Sequence, residues 1–172
     1  WWSDNFLLEC VKALNADKTL GMVFSNTIRI DHGKEVSHRI EDTIPTSIIP
    51  FIFQKPKRLW STPSCLWHSN VSKPCHWVNL RNHEDYVHDI KSATINNNIV
   101  FVEEALTYNN HSAPNRIERS NLDVKKALNI ILSIQNLPDS KGISSFYLRK
   151  LYENSIRISY KELIQNFNLS NR

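Results

Sequence analysis

Apolar positions at Phe6, Leu7, Cys10, Val11 and Leu14 recur at three- and four-residue steps behind Ser3, a residue suited to capping, and predict a first helix. The period then changes. Over residues 22–30, Met22, Phe24, Ile28 and Ile30 fall on one side, with Ser25, Thr27 and Arg29 on the other. That alternation is a half-buried strand, and Asp31-His32-Gly33-Lys34 turns the chain back into a returning strand over 36–41. Residues 48–53 make a third strand candidate, with Pro50 arguing for an edge or a bend. Residues 57–61, bounded by Pro56 and Pro63, make a fourth. The expected opening is one helix followed by a four-stranded antiparallel meander.

Residues 62–80 have no period and are rich in Pro, Ser, Cys, His and Trp. They read as an ordered irregular loop, because Trp67 and Trp77 are too large to leave loose without cost. Residues 81–120 are polar and Asn-rich apart from Ile99, Val100, Phe101 and Val102, and read as an insertion with one short element. Ser120 and Asp123 resemble a cap. Behind them Leu122, Ala127, Leu128, Ile131, Leu132, Ile134 and Leu137 form a helix apolar over most of its circumference, hence buried on more than one side. The run from Pro138 to Gly142 ends it. A second helix carries Phe146, Leu148, Leu151 and Tyr152; a third starts at Ser159, with Glu162 in the reciprocal capping position and Tyr160, Leu163, Ile164 and Phe167 on one face. The expected fold class is therefore α+β: a single domain over residues 1–172, with an insertion at about 81–120 and three C-terminal helices.

Composition narrows the function classes. At 172 residues and 41% apolar, the chain suits one buried core. Its three glycines, Gly21, Gly33 and Gly142, lie far apart, which excludes a glycine-rich phosphate cradle, and no cofactor is expected. No apolar run approaches the roughly 20 residues that cross a bilayer. The net charge of +4 is mild, and the densest cationic group is only Lys55, Lys57 and Arg58. Three cysteines, Cys10, Cys65 and Cys75, are too few and odd in number for a secreted disulfide framework, which points to an intracellular, cytoplasmic or nuclear setting. The sequons at Asn70, Asn110 and Asn168 are discounted as chance matches. The chain opens on Trp1 rather than Met and reads as a trimmed fragment.

Two stretches carry a resemblance. Ile49-Pro50-Phe51 through Lys55-Pro56-Lys57-Arg58-Leu59-Trp60-Ser61-Thr62-Pro63, then Leu66-Trp67-His68-Ser69-Asn70-Val71, resembles the ubiquitin-conjugating enzyme family, in which a Tyr-Pro-Phe segment, a Pro-Pro-Lys strand and a His-Pro-Asn turn follow at this spacing. Leu128 to Leu137 is similar to that family's central helix, and Leu148 to Asn154 with Tyr160-Lys161-Glu162 to its C-terminal helices. The resemblance implies a ubiquitin-conjugating-enzyme-like fold, makes the irregular loop over 62–80 active-site-like, and places His68 and Asn70 in the turn, with Cys75 as thioester nucleophile. Asn70 would then supply or hold the oxyanion donor. It implies protein partners: ubiquitin or a ubiquitin-like modifier, and a ligase or complex subunit.

The departures are Ser69 for the turn's Pro, Pro74 for the glycine before the cysteine, and a Cys75 that follows Asn70 several residues too soon. They favour a non-catalytic scaffold or adaptor over an active conjugating enzyme, because such chemistry tolerates little misplacement of the sulfur. Cys75 also reads as an ordinary loop or core cysteine. A third reading is a zinc set from Cys65, His68 and Cys75 with one of His76, His83 or His88. A different class, a basic nucleic-acid or chromatin-associated module, rests on the basic balance and the C-terminal helices.

Overall fold

The structure is a computed structural model that describes residues 1–38, 43–54, 58–78, 84–110, 112, 124–135 and 145–170. Helix α1 (Phe6–Ala16) buries Phe6, Cys10 and Leu14, spaced by four residues along one face. Leu7 and Val11, expected on that face, are exposed. Asn5 precedes the helix without a side-chain cap; Ser3 instead donates its backbone N–H to the Leu106 carbonyl at 2.8 Å.

Strand β1 (Met22–Asp31) is the centre of the sheet. It returns through the anticipated turn, where His32 and Gly33 both take positive φ (47° and 74°), as the tight hairpin geometry demands. Strand β2 (Lys34–His38) then pairs antiparallel with the second half of β1, Asp31 facing Lys34; residues 39–41 of the expected strand lie outside the described residues. Strand β3 (Cys65–Trp67) pairs antiparallel with the first half, over Met22 to Phe24. Strand β4 (Ile99–Asn110) runs parallel to β1 along its other edge, from Met22–Ile99 to Ile30–Asn110.

The sheet is thus mixed, and the four-stranded antiparallel meander is corrected. Residues 51–54 form a short helix, α2 (Phe51–Gln54): Ile52 N–H bonds the Ile48 carbonyl at 2.8 Å and Gln54 N–H that of Pro50 at 3.2 Å. The apolar run there is buried at Ile48, Phe51, Ile52 and Phe53, so it had no period to separate strand from helix. Residues 58–61, the described part of the expected fourth strand, are not strand. A 3₁₀ turn (Thr62–Ser64) leads into β3, and α3 (Ser69–Ser72) follows it.

The segment read as an insertion contributes α4 (Glu84–Ile95) and β4. Its asparagines are structural: Asn97 accepts from Ile49 N–H and donates to the Ile49 carbonyl, both at 2.8 Å. Asn96 and Asn98 each donate to the Thr19 carbonyl at 3.1 Å, and Asn96 packs so close to Gly21 that a Cβ there would meet its side chain at 2.9 Å. Two C-terminal helices replace the expected three, since α5 (Val124–Gln135) is followed by one continuous helix, α6 (Ser145–Ser170). The cap at Ser120 and Asp123 and the stop at Pro138–Gly142 lie outside the described residues.

Strand pleating divides the core. Met22 and Phe24 point into the larger cluster with Ile48, Phe51–Phe53, Trp60, Tyr86, Val87, Ile90, Ile99, Ala127, Ile130, Ile134 and Leu151. Val23, on the opposite face, meets Phe6, Cys10, Leu14, Leu20 and Leu106. The coarse class is α+β, with a four-stranded mixed sheet and six α-helices among the described residues. None of those helices is long and apolar enough to cross a membrane. Truncating Phe24 to Ala should cost about 3–5 kcal/mol by urea denaturation. Val36→Thr, on exposed β2, should stay within about 0.5 kcal/mol. Equal effects would contradict this division of the core.

Candidate functional site

The residues before β3 and the first turns of α4 meet around one buried cation. Helical spacing puts Asp85 and Asp89 on the same face of α4, one turn apart, where two carboxylates alone would repel. Arg58 lies against both. Its Nη1 donates to Asp85 Oδ2, and its Nε sits 2.5 Å from Asp89 Oδ2 as an ion pair, off the axis of a hydrogen bond. Trp60 Nε1 donates to the same Asp89 oxygen at 2.8 Å, and Thr62 Oγ1 donates to Asp85 Oδ2 at 2.9 Å. Burial alone would lower the Arg58 guanidinium, but the Asp89 carboxylate, then Asp85, outweigh it and hold it above its ordinary value.

The two acids differ in access. The Asp89 side chain is 2% exposed and that of Asp85 is 29% exposed. Asp85 Oδ1 accepts from Tyr86 N–H at 2.8 Å, so both of its oxygens are oriented while one edge of the group stays open. Beside it, Glu84 keeps Oε2 buried without a hydrogen-bond partner. On the next turn His88 is buried, edge-on to Trp67 and stacked flat on exposed Trp77. Tyr86 anchors the helix from the other side, its hydroxyl donating to the Ile52 carbonyl, and burial pushes that phenol far up.

Of the candidate ligands and nucleophiles singled out from sequence, Cys65 and His88 border this cluster and the other described ones are not part of it. His68 caps α3, its Nδ1 accepting from Asn70 N–H at 3.4 Å, and the Asn70 side chain is exposed. Cys75 is buried after α3, its N–H on the Ser72 carbonyl at 3.2 Å. Cys65 donates its thiol to the Ser61 carbonyl at 3.3 Å; its pKa is pushed far up, by burial first. Among the described residues no three His, Cys, Asp or Glu side chains gather as metal ligands, so Cys65, His68, Cys75 and His76 do not converge; His83 lies outside those residues. Arg58 had been read only as part of a small cationic group. The spacing of Asp85 and Asp89 was the available signal for the cluster, but their cation lies 27 residues before Asp85 in the chain.

Asp89→Ala should cost about 3–5 kcal/mol in chemical denaturation, because it strands a buried guanidinium and an indole N–H. A loss below about 1 kcal/mol, the range of an exposed pair, would contradict this reading. Cys10, pushed up to about 11 by burial and then by Glu9, should resist iodoacetamide in the folded protein at neutral pH. Its labelling should accelerate only as pH climbs toward that value; rapid labelling at pH 8 would contradict it.

No family profile matches the sequence, and no curated protein matches it. Solved structures do match, among them the crystal structure of S. aureus TarS 1–349 in complex with UDP-GlcNAc. The TM-score is 0.59 at 11% identity, covering 88% of this chain and 44% of that one. This chain therefore spans less than half the length of that structure. The likeness is one of fold alone, and it overturns the resemblance to ubiquitin-conjugating enzymes. The antiparallel meander on which that resemblance hung is absent, and the thioester role of Cys75 falls with it. The scaffold, conjugating-enzyme and nucleic-acid readings have no support in the comparison.

Proposed function

We propose that this chain forms part of a glycosyltransferase that uses a nucleoside-diphosphate sugar, with Asp85 as the base of the transfer step. The observation that carries the proposal is the fold shared with TarS, whose structure holds UDP-GlcNAc, over 88% of this chain. The cluster around Arg58 adds chemistry compatible with it. Transfer needs an acceptor hydroxyl whose oxygen attacks the anomeric carbon. The bond from that carbon to the diphosphate oxygen breaks, its electron pair leaves with the diphosphate, and the hydroxyl proton must be taken up. Asp85 is the carboxylate of the pair with an open edge, and Arg58, Thr62 and the Tyr86 N–H fix its orientation. Asp89, sealed from solvent, serves to hold Arg58.

The test follows UDP release from UDP-GlcNAc by the full-length protein, with water or an added saccharide as acceptor. Asp85→Asn, which keeps shape and loses the base, should lower turnover by about 10²-fold or more with the melting profile preserved. No release above buffer with UDP-GlcNAc or three other UDP-sugars, or an Asp85→Asn variant as active as wild type, would overturn the proposal.

A further inference from the structure

We propose that Trp77 is the stacking platform for a saccharide acceptor; this rests on the glycosyltransfer reading of the Asp85 site and names the acceptor's chemical class. Trp77 is 54% exposed, yet its ring is not loose. One face lies on the His88 imidazole, centroids 4.4 Å apart and planes 17° from parallel. His88 is itself fixed: it is 5% exposed, and Trp67 meets it edge-on at 5.5 Å and 78°. An indole held this way presents a rigid apolar face to solvent at little further cost in side-chain freedom.

The position of that face matters as much as its rigidity. His88 follows Asp85 by three residues on α4, about one turn or 5 Å along the axis. Platform and carboxylate are therefore both carried by the first turns of α4, one through His88 and one directly. A pyranose has a face of C–H bonds and a rim of hydroxyls. Its C–H face fits an exposed indole, which leaves its hydroxyl rim free for a carboxylate such as Asp85. Glu84 Oε2 and His88 Nδ1, on the same helical turns, make no hydrogen bond among the described residues, and His88 Nδ1 lies 3.9 Å from Asp89 Oδ1. A rigid apolar plate beside a helix that also carries a partly exposed carboxylate suits a sugar, with its apolar face and its hydroxyls, better than a purely aliphatic acceptor.

The test uses saturation-transfer NMR on the full-length protein with methyl glycosides of glucose, galactose, mannose and N-acetylglucosamine, and no donor present. The ring protons of at least one should receive saturation from the protein. Trp77→Ala should weaken that binding by about tenfold, the worth of an aromatic stack. Trp77→Phe, with a smaller ring, should retain most of it and keeps the question answerable should the alanine variant fold poorly. No transfer to any of the four sugars, or equal transfer with wild type and both variants, overturns the platform. Because no turnover enters this measurement, Asp85-dependent UDP release with a failed platform removes this inference alone. A working platform without UDP release removes the glycosyltransfer reading instead.

Discussion

A guanidinium is costly to bury without negative charge beside it, and two carboxylates one turn apart on a helix repel unless a cation lies between them. Arg58, Asp85 and Asp89 solve both problems at once. Their union ties the segment entering β3 to α4, and so sets how the helix lies under the sheet. The opposite side of α4 completes the anchorage through Tyr86, Val87 and Ile90 in the core and the Tyr86 hydroxyl on the Ile52 carbonyl. Asp89 gives up solvent to hold the cation, which leaves Asp85 oriented but partly open. One charge arrangement thereby positions the helix and leaves a single carboxylate partly open to solvent.

The parallel pairing of β4 with β1 frames this arrangement. A parallel neighbour requires a long connection back to the same end of the sheet. That connection here holds β2, α2, β3, α3 and α4 before β4 begins. The polar groups of the site are thus gathered within one crossover, and the asparagines at 96–98 clamp its end to Thr19 and Ile49. The likeness in fold to TarS comes at 11% identity, too low to appear in sequence.

Legibility followed the hydrophobic period. Helix α1, the β1–β2 hairpin with its positive-φ turn and helix α5 each keep a period over enough residues to be read. Helix α4 does not, because the buried set includes His88, Asp89 and Ser92 alongside Val87 and Ile90. A buried aspartate paired with a distant arginine and a tryptophan, or a histidine held by ring stacking, looks like a solvated surface until its partners are known. Strand β4 was visible only at Ile99 to Val102, since its later residues include Thr107 and Asn109; Thr107 is buried and shares a hydroxyl contact with Thr27 at 2.9 Å. Asp85 and Asp89 lie in one of these blind stretches, whereas Arg58 and Trp77 lie in segments that the sequence marks without showing what they meet. The expected site, at His68, Asn70 and Cys75, was carried by a resemblance in local motifs that the sheet topology does not bear out.

The central claim is that the open edge of Asp85, fixed by Arg58, faces the reacting sugar. A crystal structure of the full-length protein grown with UDP-GlcNAc tests it most directly. The account predicts the sugar over the first turns of α4, its anomeric carbon turned toward Asp85 and the Arg58 ion pairs intact. A sugar seated elsewhere, with Asp85 facing only solvent or protein, would contradict it.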